Sequence, residues 1–242
     1  MILVNFAVLE GCDGSGTTTQ LKLLSRRAAS VPGFPPFYAT SEPTKGPVGE
    51  LIRRLLREES PVPGGTGDSP GAAVSGKTAV SRKTEVSGKT EVSPETLARL
   101  FAADRAEHLY GSGGIVERCS ARGDLVVSDR YSLSSLVYQA VDCGEELPRI
   151  LNQSFPLPEL LVYLDVESET AVKRIAGRPD REIFERLDFQ KKVLEGYRKL
   201  LPEWERSGVR TLILDGSRPP ELIAEEVWSA VTEMPVVQCA KT

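Results

Sequence analysis

The chain has 242 residues, of which 40% are hydrophobic, and a formal net charge of −4 at pH 7. That length predicts a single domain with a sizeable core and room for an insertion, but not a second full domain. The acidic balance, the lack of a dense basic tract and the absence of an apolar run of roughly 20 residues argue against nucleic-acid and membrane partners. We therefore expect a cytoplasmic protein.

The cysteines and the single histidine show no metal-binding pattern. His108 lies in a helical stretch with no second candidate ligand nearby, so we expect it to belong to the ordinary surface or packing of that helix. The cysteines lack C-x-x-C spacing, which predicts reduced thiols rather than a zinc site or a disulfide framework. They are Cys12, Cys119, Cys143 and Cys239.

Short β-rich runs alternate with longer helical patterns from the N-terminus. ILVNFAVLE at 2–10 predicts a strand, and TTQLKLLSRRAA at 18–29 predicts a helix. PFYAT at 36–40 predicts a second strand, which PVGELIRRLLREE at 47–59 follows as a second helix. This alternation is typical of the βαβ units of a parallel sheet.

The character of the chain changes at 60–93. This stretch contains no Leu, Ile, Met or aromatic residue, opens with SPVPGGTGDSPG, and carries the six-residue repeat VSGKTA, VSRKTE, VSGKTE. Such a composition cannot bury enough apolar surface to order itself, and three copies fall short of a solenoid. We predict a disordered surface insertion, with a partner-binding or locally ordered arm as the alternative.

Helix and strand patterns resume after the insertion. Ser93 and Pro94 supply an N-cap and a first-turn proline for the helix in SPETLARLFAADRAEHLY. DLVVSDRY, LLVYLDV and VRTLILDG predict buried strands that each end in an aspartate, where a carboxylate faces the ligand crevice of a parallel sheet. Further helices are predicted at Ser168–Ile175, Asp188–Leu201 and Pro220–Thr232.

Two segments resemble a phosphate-binding loop. GAAVSGKT at Gly71–Thr78 satisfies the pattern G-x-x-x-x-G-K-[ST] completely, whereas GCDGSGTT at Gly11–Thr18 has Thr17 in place of the lysine. The motif needs a buried strand before it and a helix after it, so that backbone N–H groups converge on the phosphates. The loop at Gly11–Thr18 has both, whereas Gly71–Thr78 has low-complexity sequence on both sides. We therefore interpret Gly71–Thr78 as a chance product of the repeat.

The glycines of the Gly11–Thr18 loop can turn successive amides inward, which makes an anion nest that needs no side chain. Thr18 can place its hydroxyl on Mg²⁺. The alternative interpretation is an ordinary glycine-rich turn. The predicted ATP-binding residues are Gly11, Cys12, Asp13, Gly14, Ser15, Gly16, Thr17, Thr18 and Thr19.

Motifs along nearly all of the chain outside the insertion closely resemble those of thymidylate kinases. They are EPTKGPVGELIR, LFAADRAEHL, SDRYSLSSLVYQ, PELLVYLDV, RIAGRPDREIFERLDF and LILDGSRPPELI, with CDGSG in the loop and TTTQ after it. The resemblance implies a single P-loop NTPase domain over 1–242, of the α/β class, with a five-stranded parallel sheet flanked by helices and a lid at 174–186. It also implies Mg²⁺-dependent transfer of the ATP γ-phosphoryl group to dTMP, and a homodimer.

The resemblance assigns roles in a nucleoside site. Phe101 and Arg105 lie four apart on one helix face, so the ring can stack on a pyrimidine while the guanidinium bonds the base carbonyl. Ser135 and Tyr138 match positions that contact the base and crowd the sugar where a 2′-hydroxyl would lie. Gln139 and Glu42 complete the predicted substrate-binding set with Asp13 and Arg130.

The same resemblance assigns a phosphate path. Arg130 is expected to hold the monophosphate, Asp129 to lie near the metal with Thr18, and Asp13 to approach the acceptor phosphate and sugar. The lid arginines Arg174, Arg178, Arg181 and Arg186 are available to close over ATP. The predicted catalytic residues are Asp13, Arg130, Arg178 and Arg181.

Two departures from the family pattern remove positive charge from this path. Thr17 replaces the loop lysine, and Ser41 stands where many relatives have arginine. One charged donor of this kind is commonly worth roughly 3 kcal/mol of barrier. Lys45 could cover part of the deficit, and Lys77 is a remote alternative. Three interpretations stay open: a dTMP kinase, a kinase for another pyrimidine deoxynucleotide or deoxynucleoside, and a catalytically weakened nucleotide-binding protein.

Overall fold

The computed structural model describes residues 1–58, 92–175 and 180–239. The predicted insertion, including Gly71–Thr78 and Lys77, lies outside the described residues apart from its last two positions. The elements in chain order are β1 (Ile2–Gly11), α1 (Thr17–Ser30), β2 (Phe37–Ser41), α2 (Pro47–Glu58), α3 (Pro94–Tyr110), α4 (Ile115–Glu117) continued by a π-helical turn (Arg118–Arg122), β3 (Leu125–Asp129), α5 (Ser132–Cys143), α6 (Glu146–Asn152), β4 (Leu157–Asp165), α7 (Ser168–Ile175), α8 (Asp180–Arg206), β5 (Arg210–Asp215), α9 (Pro220–Thr232) and α10 (Pro235–Cys239).

The five strands form one parallel sheet in the order β2-β3-β1-β4-β5. This confirms the predicted α/β class. The chain builds the sheet outward on both sides of β1, and open sheets of this kind bind ligands beyond the carboxyl ends of the strands at such a switch point. The strand ends that meet at this edge are Gly11, Ser41, Asp129, Asp165 and Asp215, so the three predicted aspartates lie where expected.

Side chains of β1 alternate between the two faces of the sheet, as the pleat requires. Phe6 and Val8 enter one buried cluster, which includes Tyr197 of α8. Ala7 and Leu9 enter the other cluster, which includes residues of α1 and α9. Because both faces are covered, β1 is buried from Phe6 to Gly11, and the loop that follows it starts from a rigid position.

Three helix predictions agree closely with the structure. Ser168–Ile175 and Pro220–Thr232 are the bounds of α7 and α9. Helix α3 begins at Pro94, and the backbone N–H of Thr96 donates to Oγ of Ser93 at 3.2 Å, which is the predicted N-cap.

Two predictions need correction. The helix predicted at Asp188–Leu201 spans Asp180–Arg206 in the structure, because the residues on either side of the predicted range include strong helix formers such as Glu, Arg and Leu. Strand β5 was predicted to be buried, but Ile213 is 52% exposed. The reason is its place at the sheet edge, where it pairs with β4 alone.

Among the described helices, none has the length and apolar character needed to cross a membrane.

Candidate active site

The loop from Gly11 to Gly16 joins the central strand β1 to helix α1. Gly16 is the N-cap of α1 in the left-handed region, with φ 105°. Gly14 has φ 82°, and a Cβ there would lie 2.5 Å from the carbonyl oxygen of Ala171 in α7. Both positions therefore need glycine. The helix N-terminus behind the loop presents backbone N–H groups to an anion, which is the context that the sequence predicted for a phosphate site.

The start of α1 offers candidate oxygen ligands for a cation. The hydroxyl of Thr18 donates to Oδ2 of Asp129, the last residue of β3, at 2.5 Å. Oδ1 of Asp129 is buried and has no hydrogen-bond partner among the described residues. A free carboxylate oxygen beside a threonine hydroxyl fits Mg²⁺, which binds through few protein oxygens plus phosphate and water. No cluster of three or more His, Cys, Asp or Glu residues in the described ranges could hold a metal ion instead.

Arg130 connects the sheet edge to the loop. Its backbone is in the left-handed region, with φ 71°, and its N–H donates to the carbonyl of Leu9 at 2.9 Å. The guanidinium then turns toward the loop, where Nη1 donates to the carbonyl of Gly11 at 3.0 Å and Nη2 to Oδ1 of Asp13 at 2.6 Å. The structure thus brings together two residues that were predicted to handle phosphate.

Tyr138 closes the other side of this group. Its ring lies 5.1 Å from the Arg130 guanidinium, and its hydroxyl accepts from the backbone N–H of Asp13 at 2.9 Å. Burial raises the pKa of the Tyr138 phenol, so the hydroxyl stays protonated and keeps one hydrogen to donate. Burial also raises the pKa of the Cys12 thiol to about 11, which keeps the second position of the loop neutral.

Glu10 lies fully buried beneath the loop and holds three segments of the chain together. Oε1 accepts from the backbone N–H groups of Tyr131 at 2.9 Å and Ser134 at 3.2 Å. Oε2 accepts from the hydroxyls of Ser134 at 2.6 Å and Tyr197 at 2.9 Å. Nη1 of Arg130 also donates to Oγ of Ser134, at 3.1 Å. The arrangement fixes the start of α5, and with it the direction of Arg130.

Burial raises the pKa of Glu10, against the lowering effects of Ser134, the Arg130 charge and Tyr197. Sequence reasoning missed this residue as a functional one. Its signal is the presence of a carboxylate at the end of an otherwise apolar buried strand, since a buried carboxylate requires several hydrogen-bond donors. Nothing in the sequence shows which donors these are.

A cleft of 390 Å³ opens beside Arg130, and all of the predicted nucleoside-site residues line it. They are Asp13, Glu42, Phe101, Arg105, Arg130, Ser135, Tyr138 and Gln139. Oε1 of Gln139 is buried without a hydrogen-bond partner among the described residues, while its Nε2 donates to Oγ of Ser135 at 3.3 Å. Gln139, which lines the cleft, therefore has an amide oxygen with no partner among the described residues.

Arg105 lies at the base of this cleft and is 1% exposed. Nε and Nη2 donate to Oε2 of Glu42 at 2.9 and 2.6 Å, and Nη2 also donates to Oγ of Ser135 at 2.8 Å. Nη1 donates to Oδ1 of Asn152, the last residue of α6. The guanidinium is thus largely held by protein groups, and Asn152 is a neighbour that no pattern in the sequence indicated.

Comparison with known proteins identifies the family. A family model described as thymidylate kinase matches residues 75–227, more than half of the chain. A putative thymidylate kinase of Treponema pallidum (strain Nichols) is 34% identical over 235 residues, covering 96% of this chain and 97% of that relative. A putative thymidylate kinase of Aeropyrum pernix is 36% identical over 216 residues, covering 89% and 87%. The chain belongs to the thymidylate kinase family.

In this thymidylate kinase family member, one predicted lid arginine is described. Nη1 of Arg174, in the last turn of α7, donates to the carbonyls of Gly14 at 3.2 Å and Gly216 at 2.9 Å. It thereby links the loop after β1 to the turn after β5. Arg178 lies outside the described residues, and the side chains of Arg181 and Arg186 are not described, so their roles stay predictions.

The two departures from the thymidylate kinase pattern both lie beside the candidate metal ligands. Thr17 is 5% exposed in the first turn of α1, directly before Thr18. Ser41 pairs in register with Asp129 across β2 and β3. Lys45 is exposed and lines a groove with Arg53 and Arg54 on α2. Its compensating role stays a prediction.

His108 is more than surface or packing of its helix, which corrects the sequence-based expectation. Its side chain is 8% exposed, its Nε2 lies 2.7 Å from Oγ1 of Thr40, and its Nδ1 lies 3.1 Å from Oε1 of Glu42. Nothing in the sequence indicated these hydrogen bonds, because Thr40 and Glu42 lie more than 60 positions earlier in the chain and approach His108 only in the folded protein.

Proposed function

We propose that the chain is a dTMP kinase, which transfers the γ-phosphoryl group of ATP to dTMP and releases dTDP and ADP. The observation that carries the proposal is the position of Arg130, where the phosphate loop meets the nucleoside cleft. Its guanidinium contacts Gly11 and Asp13 of the loop and also lines the cleft. The Arg130 guanidinium would therefore lie near both the phosphate of an acceptor bound in the cleft and the phosphoryl group that is transferred to it.

The proposed mechanism uses positioning and charge, with no general base. Phosphoryl transfer asks for an in-line arrangement and for neutralisation of the equatorial oxygens. The backbone N–H groups of the loop hold the ATP phosphates, Arg130 holds the dTMP phosphate, and Asp13 approaches the acceptor sugar. Thr18 and Asp129 would hold Mg²⁺, which would supply charge neutralisation on the ATP phosphates when bound.

The nucleoside cleft supports a pyrimidine. Phe101 offers a ring for stacking, Arg105 a remaining donor and Gln139 the free acceptor described above. Tyr138 contacts both Asp13 and Arg130, and from that position it would crowd a 2′-hydroxyl. This supports a deoxynucleoside monophosphate over a ribonucleotide.

A coupled ADP-release assay with Mg-ATP tests the proposal, using dTMP, dUMP, UMP, dCMP and thymidine as acceptors. We expect dTMP to give the highest kcat/KM and thymidine to give none, because thymidine has no phosphate for Arg130. Formation of dTDP is confirmed by chromatography. Turnover with dTMP that does not exceed background ATP hydrolysis would contradict the proposal.

The second candidate is a nucleotide-binding protein with weakened catalysis, and Thr17 is the observation that favours it. Tight binding of dTMP and ATP without dTDP formation would support this candidate. We further infer a homodimer from the family alone, and a cytoplasmic location with no nucleic-acid partner from the acidic charge balance and the composition of the chain. Sedimentation analysis tests the dimer, and a mass of one chain at micromolar concentration would contradict it.

Replacing Thr17 with lysine is expected to raise kcat about tenfold, because the substitution restores a charged donor to the phosphate path. Thr17→Met is the matched control, since it adds similar length without charge and is expected to leave kcat unchanged or lower. The measurement is the steady-state rate at saturating dTMP and ATP. Equal losses in both variants would show that another group already fills the space of the missing lysine.

A further inference from the structure

His108 forms part of a buried hydrogen-bonded chain that ends at the nucleoside cleft. It lies three residues after Arg105 on α3, so the two side chains share a face of the helix. Both side chains contact the same carboxylate. Arg105 binds Oε2 of Glu42, and His108 binds Oε1 at 3.1 Å.

The chemistry of Glu42 fixes the direction of these bonds. An ionised carboxylate has acceptors only, so Nδ1 of His108 must carry a hydrogen and donate it to Oε1. Nε2, 2.7 Å from Oγ1 of Thr40, can accept from that hydroxyl when the ring is neutral. Thr40 thereby holds the ring from the β2 side, and the ring holds one oxygen of the carboxylate.

The backbone near Glu42 is held by other contacts. The N–H of Glu42 donates to the carbonyl of Asp129 at 3.1 Å. The N–H and hydroxyl of Thr44 donate to the two carboxylate oxygens of Asp104 at 2.7 and 2.6 Å. The bond from His108 therefore adds little to the path of the chain, and its effect falls on the rotation of the Glu42 carboxyl group.

That rotation determines where Arg105 points. A guanidinium has five N–H groups, and the contacts with described residues use four of them: Nε and one hydrogen of Nη2 on Glu42, the second on Ser135, and one hydrogen of Nη1 on Asn152. One N–H of Nη1 is left for a nucleobase carbonyl. Its direction follows the plane of the guanidinium, which the two bonds to Oε2 of Glu42 fix together with the bonds to Ser135 and Asn152.

We propose that His108 is a positioning residue for nucleobase recognition, acting through the Glu42 carboxylate on Arg105. The inference rests on the proposed nucleoside monophosphate kinase function and extends it to a residue outside the cleft. His108 touches neither substrate, so its loss affects the dTMP site and leaves the ATP site and the phosphoryl transfer step unchanged.

Two substitutions separate this role from packing. His108→Asn places an amide N–H near the position of Nδ1 but removes most of the ring. His108→Phe keeps the volume of the ring but removes both nitrogens. If the donated hydrogen bond matters, the Asn variant retains dTMP binding better than the Phe variant, and if packing matters, the order is reversed.

The readouts are KM for dTMP, KM for ATP, kcat, and the dissociation constant of dTMP by calorimetry. We expect His108→Phe to raise the KM and the dissociation constant for dTMP about tenfold, with kcat and KM for ATP within twofold of wild type. His108→Asn is expected within threefold of wild type in all four. Wild-type dTMP binding by His108→Phe, or equal weakening by both variants, would overturn the proposal.

Thr40→Val supplies a second variant that does not alter the helix. It removes the hydroxyl that holds Nε2, and we expect KM for dTMP to rise about threefold with kcat unchanged. A change in kcat or thermal stability without a change in dTMP binding would contradict the proposal. If wild type binds dTMP without turnover, the dTMP dissociation constants of wild type and the two His108 variants still test the role of His108. If wild type does not bind dTMP, the proposed function itself is contradicted.

Discussion

Replacing Arg130 with methionine is expected to lower kcat/KM for dTMP by about three orders of magnitude, which corresponds to about 4 kcal/mol of lost transition-state stabilisation. The guanidinium has two functions that methionine cannot supply. It presents positive charge where the cleft meets the loop, and it holds Asp13 at 2.6 Å and the Gly11 carbonyl at 3.0 Å. Losing both leaves the acceptor phosphate without its cation and the loop without its tether.

Methionine is a suitable replacement because the backbone requirement at this position is unchanged. Arg130 has φ 71°, and any side chain other than glycine bears a similar cost there. Arg130→Lys is the matched control, since it retains the charge but cannot donate to Gly11 and Asp13 in the same fork geometry. We expect a loss of about tenfold to hundredfold for lysine, between wild type and methionine.

The measurement for Arg130 is kcat/KM with dTMP varied at saturating ATP, together with the thermal unfolding midpoint of each variant. A small change in midpoint with a large loss in rate supports the proposed role. A loss in kcat/KM below tenfold for Arg130→Met would contradict it. Such a result would mean that the positive charge of Arg130 is not required to bind the acceptor phosphate.

Replacing Glu10 with alanine is expected to lower the free energy of unfolding by about 3–5 kcal/mol. The substitution leaves the buried backbone N–H of Tyr131 and the partly buried N–H of Ser134 without this acceptor, and opens a cavity beneath the loop. It also removes the acceptor for the hydroxyls of Ser134 and Tyr197. These hydroxyls can rotate to other partners, whereas the backbone groups cannot.

Glu10→Gln is the matched control. The amide oxygen can accept from the two backbone groups, and the amide nitrogen can donate to the hydroxyls of Ser134 and Tyr197, which then accept. We expect a loss of about 1 kcal/mol. Urea unfolding followed by circular dichroism measures both variants, and an alanine variant as stable as the glutamine variant would contradict the assignment of Glu10 as a structural centre.

The pH dependence of stability provides a second readout for Glu10. Because burial raises its pKa above the ordinary value of 4.5, the folded chain binds a proton more tightly there than the unfolded chain does. The stability contributed by this group is present below pH 4.5 and falls as the pH rises through the folded-state pKa. The stability advantage of wild type over Glu10→Gln should therefore shrink over that range, and an advantage that grows would contradict the direction of the shift.

Local chemistry explains which parts of the fold were predictable. The buried strand, the glycines and the helix around Gly11–Thr18 are consecutive in the sequence, so short-range patterns predicted this arrangement despite the missing lysine. The start of α3 depends on Ser93 and Pro94, which act within one helical turn. The prediction that β5 is buried was wrong, because burial of a strand depends on its place in the strand order, which short-range patterns do not encode.

Long-range side-chain contacts explain the rest of the candidate site. The spacing of Phe101 and Arg105 correctly indicated a shared cleft, but the commitment of Arg105 to Glu42 and Asn152 joins three segments that are distant in the chain. The network around Glu10 joins residues more than 100 positions apart. A single sequence specifies that a buried carboxylate needs donors, while the fold determines which residues provide them.

Helix α8 connects the loop after β1 to the predicted lid. Its 27 residues run from Asp180, within the predicted lid. On the same helix, the Tyr197 hydroxyl donates to Oε2 of Glu10 at 2.9 Å and lies 3.2 Å from the carbonyl oxygen of Gly11. From Asp180 to Tyr197 a helix spans about 26 Å, so a rotation of about 5° at Tyr197 moves the far end by about 2 Å. A rigid α8 would thus convert a strain too small to break a hydrogen bond at the loop after β1 into a displacement of about 2 Å at the predicted lid.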